Sequence, residues 1–121
     1  GQDRVEQFRI GTMYSNSSKA RLLSNLSNEV RLEILSIICD NESSVGSLAE
    51  RLNMSQSAIS QHLAKLRRDG LVATRKDGQT VYYICRNPGV QRVLDMLSEI
   101  FSPSFEKKNG YPLAHPRKSR I

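Results

Sequence analysis

Residues 53–86 read NMSQSAISQHLAKLRRDGLVATRKDGQTVYYICR, and the rest of the chain can be placed around them. Ser55 is suited to cap a helix, because its hydroxyl can accept from backbone N–H groups left free in a first turn. Ile59, Leu63 and Leu66 then recur at the spacing of one helical face, which predicts that this face is buried. The residues on the other side are short or medium in length, can hydrogen-bond and carry little charge: Gln56, Ser57, Ser60, Gln61, with Lys65 beyond them. A merely solvated face is usually rich in Glu and Lys. Gln and Ser flanked by Arg and Lys suit contact with base edges between phosphate contacts. Gly70 closes this helix after Arg67, Arg68 and Asp69, and basic residues are favourable at a helix C-terminus. LVATRK and TVYYIC follow as strands rich in β-branched and aromatic residues, with a turn signal at Asp77-Gly78 between them.

Upstream, residues 45–52 predict a short helix capped by Ser44, with Val45, Leu48, Ala49 and Leu52 facing inward. Asn53 suits the left-handed position after its end. Only Met54 and Ser55 then separate the two helices, so together they read as a helix-turn-helix, and the hairpin after it reads as a wing. Arg75, Lys76 and Gln79 are expected near the wing tip, over phosphates or in the adjoining minor groove. The loop 40–43 is preceded by the run EVRLEILSIIC, where Leu32, Leu35 and Ile38 share a face widened by Ile34 and Ile37. Before that, a helix over about 19–26 should bury Leu22, Leu23 and Leu26. Val5 and Phe8 fit one side of a helical turn that Gly11 ends. After the hairpin, Asn87 caps a last helix with Pro88 at its first position, and Pro103 ends it. Val90, Val93, Leu94, Leu97, Ile100 and Phe101 give that helix a wide apolar stripe.

The expected fold is therefore mainly α with a small β-hairpin: a winged helix-turn-helix in the order α-α-α-α-β-β-α. Its divisions are an N-terminal extension (1–17), the winged domain (18–102) and a basic tail (103–121). The last helix is more apolar than so small a domain needs, which points to a homodimer built from the first and last helices. The residues for that contact are Leu22, Leu23, Leu26, Val93, Leu94, Leu97, Ile100 and Phe101.

The net charge of +6 is unevenly divided. Residues 1–50 carry −2, residues 51–86 carry +5, residues 87–106 carry −2 and residues 107–121 carry +5. Positive charge thus collects on the helix-hairpin stretch and the tail, as in a polyanion binder. The residues expected to meet DNA are Ser55, Gln56, Ser57, Ser60, Gln61, His62, Lys65, Arg68, Arg75, Lys76 and Gln79. Double-stranded DNA and a second copy of the chain are the expected partners. A winged helix used for protein–protein assembly fits the uncharged reading face and charged wing tip less well. No nucleophile–base set, paired carboxylates or phosphate-cradling glycine loop stands out, so no enzymatic activity and no cofactor are expected. His115 has no evident partner in the sequence. No apolar run reaches membrane-spanning length and no signal-peptide pattern opens the chain, so the expected compartment is the cytoplasm.

The segments RLEIL, SVGSLAERL, MSQSAISQHLAKLRRDGLV and RKDGQTVYY resemble the ArsR/SmtB family of bacterial dimeric repressors, over about residues 18–101. Within it, the run SQSAISQHLAKLR is most similar to the branch containing NolR, HlyU and BigR. The resemblance implies a dimeric repressor on an inverted-repeat promoter operator. It also shows departures from the family. Positions where thiolate-type members carry a cysteine motif hold Ser44 and Gly46. Positions of the zinc site on the last helix hold Asn87, Gly89, Ile100 and Pro103, which are not a zinc ligand set. The two cysteines of the sulfur-responsive branch are replaced by Ser36 and Ser102. Cys39 and Cys85 stand elsewhere, either as small packing residues or as a relocated thiol switch.

Overall fold

The computed structural model describes residues 15–110. Helix α1 spans Asn16–Leu26 and α2 spans Glu29–Ile38; a two-residue strand β1, Ser43–Ser44, leads into α3, Val45–Leu52. Next come α4, Gln56–Arg68, the strands β2, Ala73–Asp77, and β3, Thr80–Ile84, and then α5, Pro88–Ile100, and α6, Pro103–Asn109. The chain divides between Arg86 and Asn87 into two compact units.

Side-chain caps set most of the helix starts. Ser15 accepts from the Ser18 N–H, Asn28 from Arg31, Ser44 from Ser47, and Ser55 from Ala58. Each satisfies one of the first-turn donors that lack an intrahelical partner. Because the first cap is Ser15, α1 begins at Asn16, a few residues before the expected Lys19.

The core of the first unit is apolar side chains brought in from every helix and from the hairpin. Ile34, Leu35 and Ile38 of α2 and Ile59, Leu63 and Leu66 of α4 are completely inaccessible, and Leu26, Leu48, Ala49, Leu71, Val72 and Cys85 are also buried. Leu23 departs from expectation: it is 58% exposed, while Leu22 is only half-buried. On this short helix, Leu26 and Asn25 take the inward positions.

The sheet contains one strand more than expected. β1 pairs antiparallel with β3, giving the order β1-β3-β2. Ser43 and Ser44 lie opposite Tyr83 and Tyr82. Leu71 and Val72 precede β2 and Cys85 follows β3, so the strands are shorter than the apolar runs suggested. The hairpin loop is the pair Gly78-Gln79, since Asp77 pairs with Thr80. Gly78 has φ of +63° at the first central position, where turns that match strand twist favour glycine.

In the second unit Asn87 accepts from the Gly89 and Val90 N–H groups at the start of α5. Val90 is fully buried, while Val93, Leu94, Leu97 and Ile100 are half-buried. Pro103 does more than stop α5: with Ser102 as N-cap it opens α6, which ends at Gly110 with φ of +86°. Part of the expected tail is therefore helical, with Lys107 and Lys108 in its last turn. The expected turn at Val5 and Phe8 and the tail residue His115 lie outside the described residues.

Truncating Leu63 to Ala should cost about 2–5 kcal/mol of stability through lost burial and a residual cavity. Asn53→Gly, at a residue with φ of +53°, should change stability by only a few tenths of a kcal/mol. Urea unfolding of the two variants beside the parent checks both values.

Candidate nucleic-acid interface

The helix-turn-helix is made by α3 and α4. Asn53, with φ 53° and ψ 51°, is left-handed, and the Met54 N–H turns back to the Ala49 carbonyl at 2.9 Å. This closes α3 and redirects the chain within two residues, so that Ser55 can cap α4. Burial of Ile59, Leu63 and Leu66 then fixes the rotation of α4 about its axis. With about 100° between successive residues, Ser57, Gln61, Ala64 and Arg68 fall opposite the core. Gln56, Ser60 and Arg67 lie on the flank between that face and the buried stripe, and all seven are exposed. Ala64 was not expected at the site. Its small exposed methyl lies mid-face, where it could meet an apolar base group.

Two residues expected at DNA are turned aside. His62 is half-buried, with Nδ1 3.4 Å from Arg31 Nη1. As a neutral imidazole, its Nδ1 accepts from the guanidinium. Burial lowers the His62 pKa from its ordinary 6.5, and the Arg31 charge lowers it further. Lys65 reaches forward one turn to Asp69, Nζ to Oδ2 3.4 Å, with its side chain 33% exposed. His62 lies on a flank of α4 beside the buried stripe, whereas Lys65 borders the outward face and is drawn along the helix by Asp69.

These neighbours form a polar clasp between α1 and α4 that the sequence did not reveal. Asn25 is completely buried; its Nδ2 donates to Asp69 Oδ2 at 2.8 Å and to the Arg21 carbonyl at 3.0 Å. The Asn25 bond, aided by Lys65, holds the Asp69 carboxyl below its usual pKa. Arg31 of α2 donates Nε to the Asn25 carbonyl at 2.8 Å and Nη2 to the Ser24 carbonyl at 3.1 Å. One guanidinium thus satisfies carbonyls at the end of α1 while its remaining nitrogen faces α4.

On the wing, Lys76, Gln79 and Thr80 are exposed. Arg75 lies two residues before the turn and is not at the tip. Its Nε donates to Glu42 Oε2 at 2.7 Å, its Nη2 pairs with Glu42 Oε1, and the guanidinium lies 4.7 Å from the Tyr82 ring centroid. The charge assigned by sequence to a phosphate is already matched by a carboxylate. At the N-terminal end of the reading face, the Gln56 amide nitrogen lies 3.6 Å from where a Cβ on Gly46 would stand, so this side chain leans over the first turn of α3.

Positions where resembling proteins carry ligands serve local structure. Ser44 and Asn87 spend their side chains on helix caps. Among the described residues, no group of three or more His, Cys, Asp or Glu could hold a metal ion. Cys85 is buried, and its N–H donates to the Ile38 carbonyl at 3.0 Å, which brings it beside Cys39. No helix among the described residues is long and apolar enough to cross a membrane.

Residues 28–74 match the model of the bacterial regulatory protein, arsR family. The transcriptional activator HlyU of Vibrio cholerae is 52% identical over 95 residues, covering 78% of this chain and 88% of that protein. The crystal structure of the transcriptional repressor BigR from Xylella fastidiosa superposes with a TM-score of 0.69 at 30% identity, over 78% of this chain and 96% of that one. The solution structure of the homodimeric winged helix-turn-helix DNA-binding domain of Mb0332 from Mycobacterium bovis gives 0.65 at 26% identity, over 82% and 89%.

The His62 environment has a consequence for pH. A pKa lowered on folding means that the unfolded chain takes up a proton more readily than the native one. Stability should therefore fall as pH drops below 6.5, with little effect above it. In His62→Gln this limb should flatten, as read from urea midpoints at about pH 7.5 and 5.5.

Proposed function

The chain belongs to the arsR family of bacterial regulatory proteins, and from that premise we propose that it is a homodimeric repressor that binds an inverted-repeat operator in double-stranded DNA. The observation that carries this reading is the outer face of α4. Gln56, Ser57, Ser60 and Gln61 are exposed, uncharged and able to hydrogen-bond. Arg67 and Arg68 extend that face, and the wing adds Lys76. Amides that both donate and accept can discriminate base edges, whereas the cations supply affinity common to all sequences. Gln56 is the leading base contact, because a glutamine amide can form two hydrogen bonds with adenine.

The dimer is supported by apolar surface that one copy leaves open. Leu23, Met96 and Phe101 are 58%, 57% and 60% exposed. Leu22 is half-buried beside Leu23 on α1, and Val93, Leu94, Leu97 and Ile100 are half-buried on α5, the helix that carries Met96. Leu26, already buried within one copy, is better assigned to the core than to the dimer contact. A two-fold pair would present two α4 helices to successive major grooves, and occupation of a promoter by such a pair excludes polymerase. Metal control does not enter this reading, since Ser44 and Asn87 are engaged as caps.

One observation favours a thiol-controlled form of the same repressor. The Cys85 N–H bond to the Ile38 carbonyl holds the Cys39 and Cys85 Cα atoms within roughly 7 Å by standard peptide dimensions, near the ~4.4–6.8 Å span of a disulfide. Oxidation would join the two sulfurs, passing two electrons and two protons to a peroxide that leaves as water. Unchanged DNA affinity under peroxide, in the parent and in Cys39→Ser, would remove this form.

On a duplex enriched from random DNA, Gln56→Ala should cost about 1–3 kcal/mol and relax base preference at one position per half-site. Lys76→Ala should weaken all sequences alike and reduce the salt slope by about one. Equal loss on enriched and random DNA for both variants would refute this division. Phe101→Glu should shift the protein toward monomer in sedimentation at micromolar concentration, and a parent already monomeric there would refute the dimer.

A further inference from the structure

An ion pair on the wing lies away from its tip. Within the sheet, Ser44 and Arg75 both stand opposite Tyr82, one on each side of β3. Directly opposed side chains share a sheet face, and Glu42, two residues before Ser44, continues it. Arg75 therefore crosses the Tyr82 ring at 4.7 Å and grips the Glu42 carboxylate with two nitrogens. The two residues are 33 positions apart in sequence, and Ser44, which follows Glu42 so closely, is the N-cap of α3. The contact ties β2 of the wing to the segment that starts the helix-turn-helix.

We propose that Glu42 is a positioning residue for DNA recognition: with Arg75 and Tyr82 it forms a strap that sets the wing against the reading head, so Arg75 acts through the strap and not as a phosphate ligand. Its role in DNA recognition rests on the function proposed above. The fork of a guanidinium matches two carboxylate oxygens and stacks on an aromatic face, whereas an ammonium does neither as well. The strap is exposed enough to form and break without unfolding the core, with Arg75 51% and Glu42 32% accessible. Its contribution is orientation of β2, the edge strand of the sheet, which pairs there with β3 and not with β1.

Two measurements on the full chain test this. The first is hydrogen exchange of the free protein: Glu42→Ala, Arg75→Ala and Arg75→Lys should each speed exchange in residues 73–84 several-fold while leaving α4 unchanged. The second is affinity for the enriched duplex across a salt series. Glu42→Ala, Arg75→Ala and the double variant should lose a similar factor, roughly three- to tenfold, because one contact is broken in all three. Arg75→Lys should resemble Arg75→Ala, and the salt slope should stay at its parental value. Wing exchange unchanged in Glu42→Ala would overturn the strap. Tighter binding with a steeper slope in Glu42→Ala, or parental affinity in Arg75→Lys, would overturn its positioning role and make Arg75 a phosphate ligand restrained by Glu42. If the parent protein enriches no DNA, the functional reading fails, while the exchange data still judge the strap.

Discussion

The insertion of Ile59, Leu63 and Leu66 into the core is the constraint on which the other features depend. Each of these side chains is completely inaccessible, and burying such a side chain favours the folded state by about 1.5–3 kcal/mol. Rotating α4 by one residue would exchange all three for Ser60, Ala64 and Arg67. The burial therefore both stabilises the domain and aims the opposite face at solvent. Gln56, Ser57, Ser60 and Gln61 are left exposed by what the helix hides on its other side. The tight turn at Asn53 adds the second coordinate, since it sets where α4 begins relative to α3.

Polar contacts fix the remaining freedom. Asn25 and Arg31 hold the end of α1 against α4 through Asp69 and His62. Glu42 and Arg75 hold β2 against the start of α3. Hydrophobic burial tolerates small rotations and slides, whereas a hydrogen bond near 2.8 Å does not. Ser44 and Asn87 spend their side chains on helix caps.

Much of the fold was legible in the sequence because it rests on local signals. Ser55, Asn53, Ser44 and Asn87 announce helix ends through chemistry within four residues of themselves. Ile59, Leu63 and Leu66 announce a buried face through their period. What escaped notice depends on distant partners or on signals too short to repeat. β1 has two residues and exists only because β3 pairs with it. The Asn25–Asp69 and Glu42–Arg75 contacts join residues 44 and 33 positions apart, and nothing in either neighbourhood marks them. The partners of Arg75, His62 and Lys65, namely Glu42, Arg31 and Asp69, are likewise not disclosed by charge or position in the sequence. Pro103 carries two signals at once, a stop for α5 and, with Ser102 before it as cap, the start of α6.

The central claim is that two outward faces of α4, related by two-fold symmetry, read DNA. Repeated selection of bound duplexes from a random double-stranded pool tests it most directly. The account predicts enrichment of an inverted repeat whose half-site centres lie about one helical turn, ~10 bp, apart. Failure to enrich any motif, or enrichment of a single site with no two-fold partner, would contradict it.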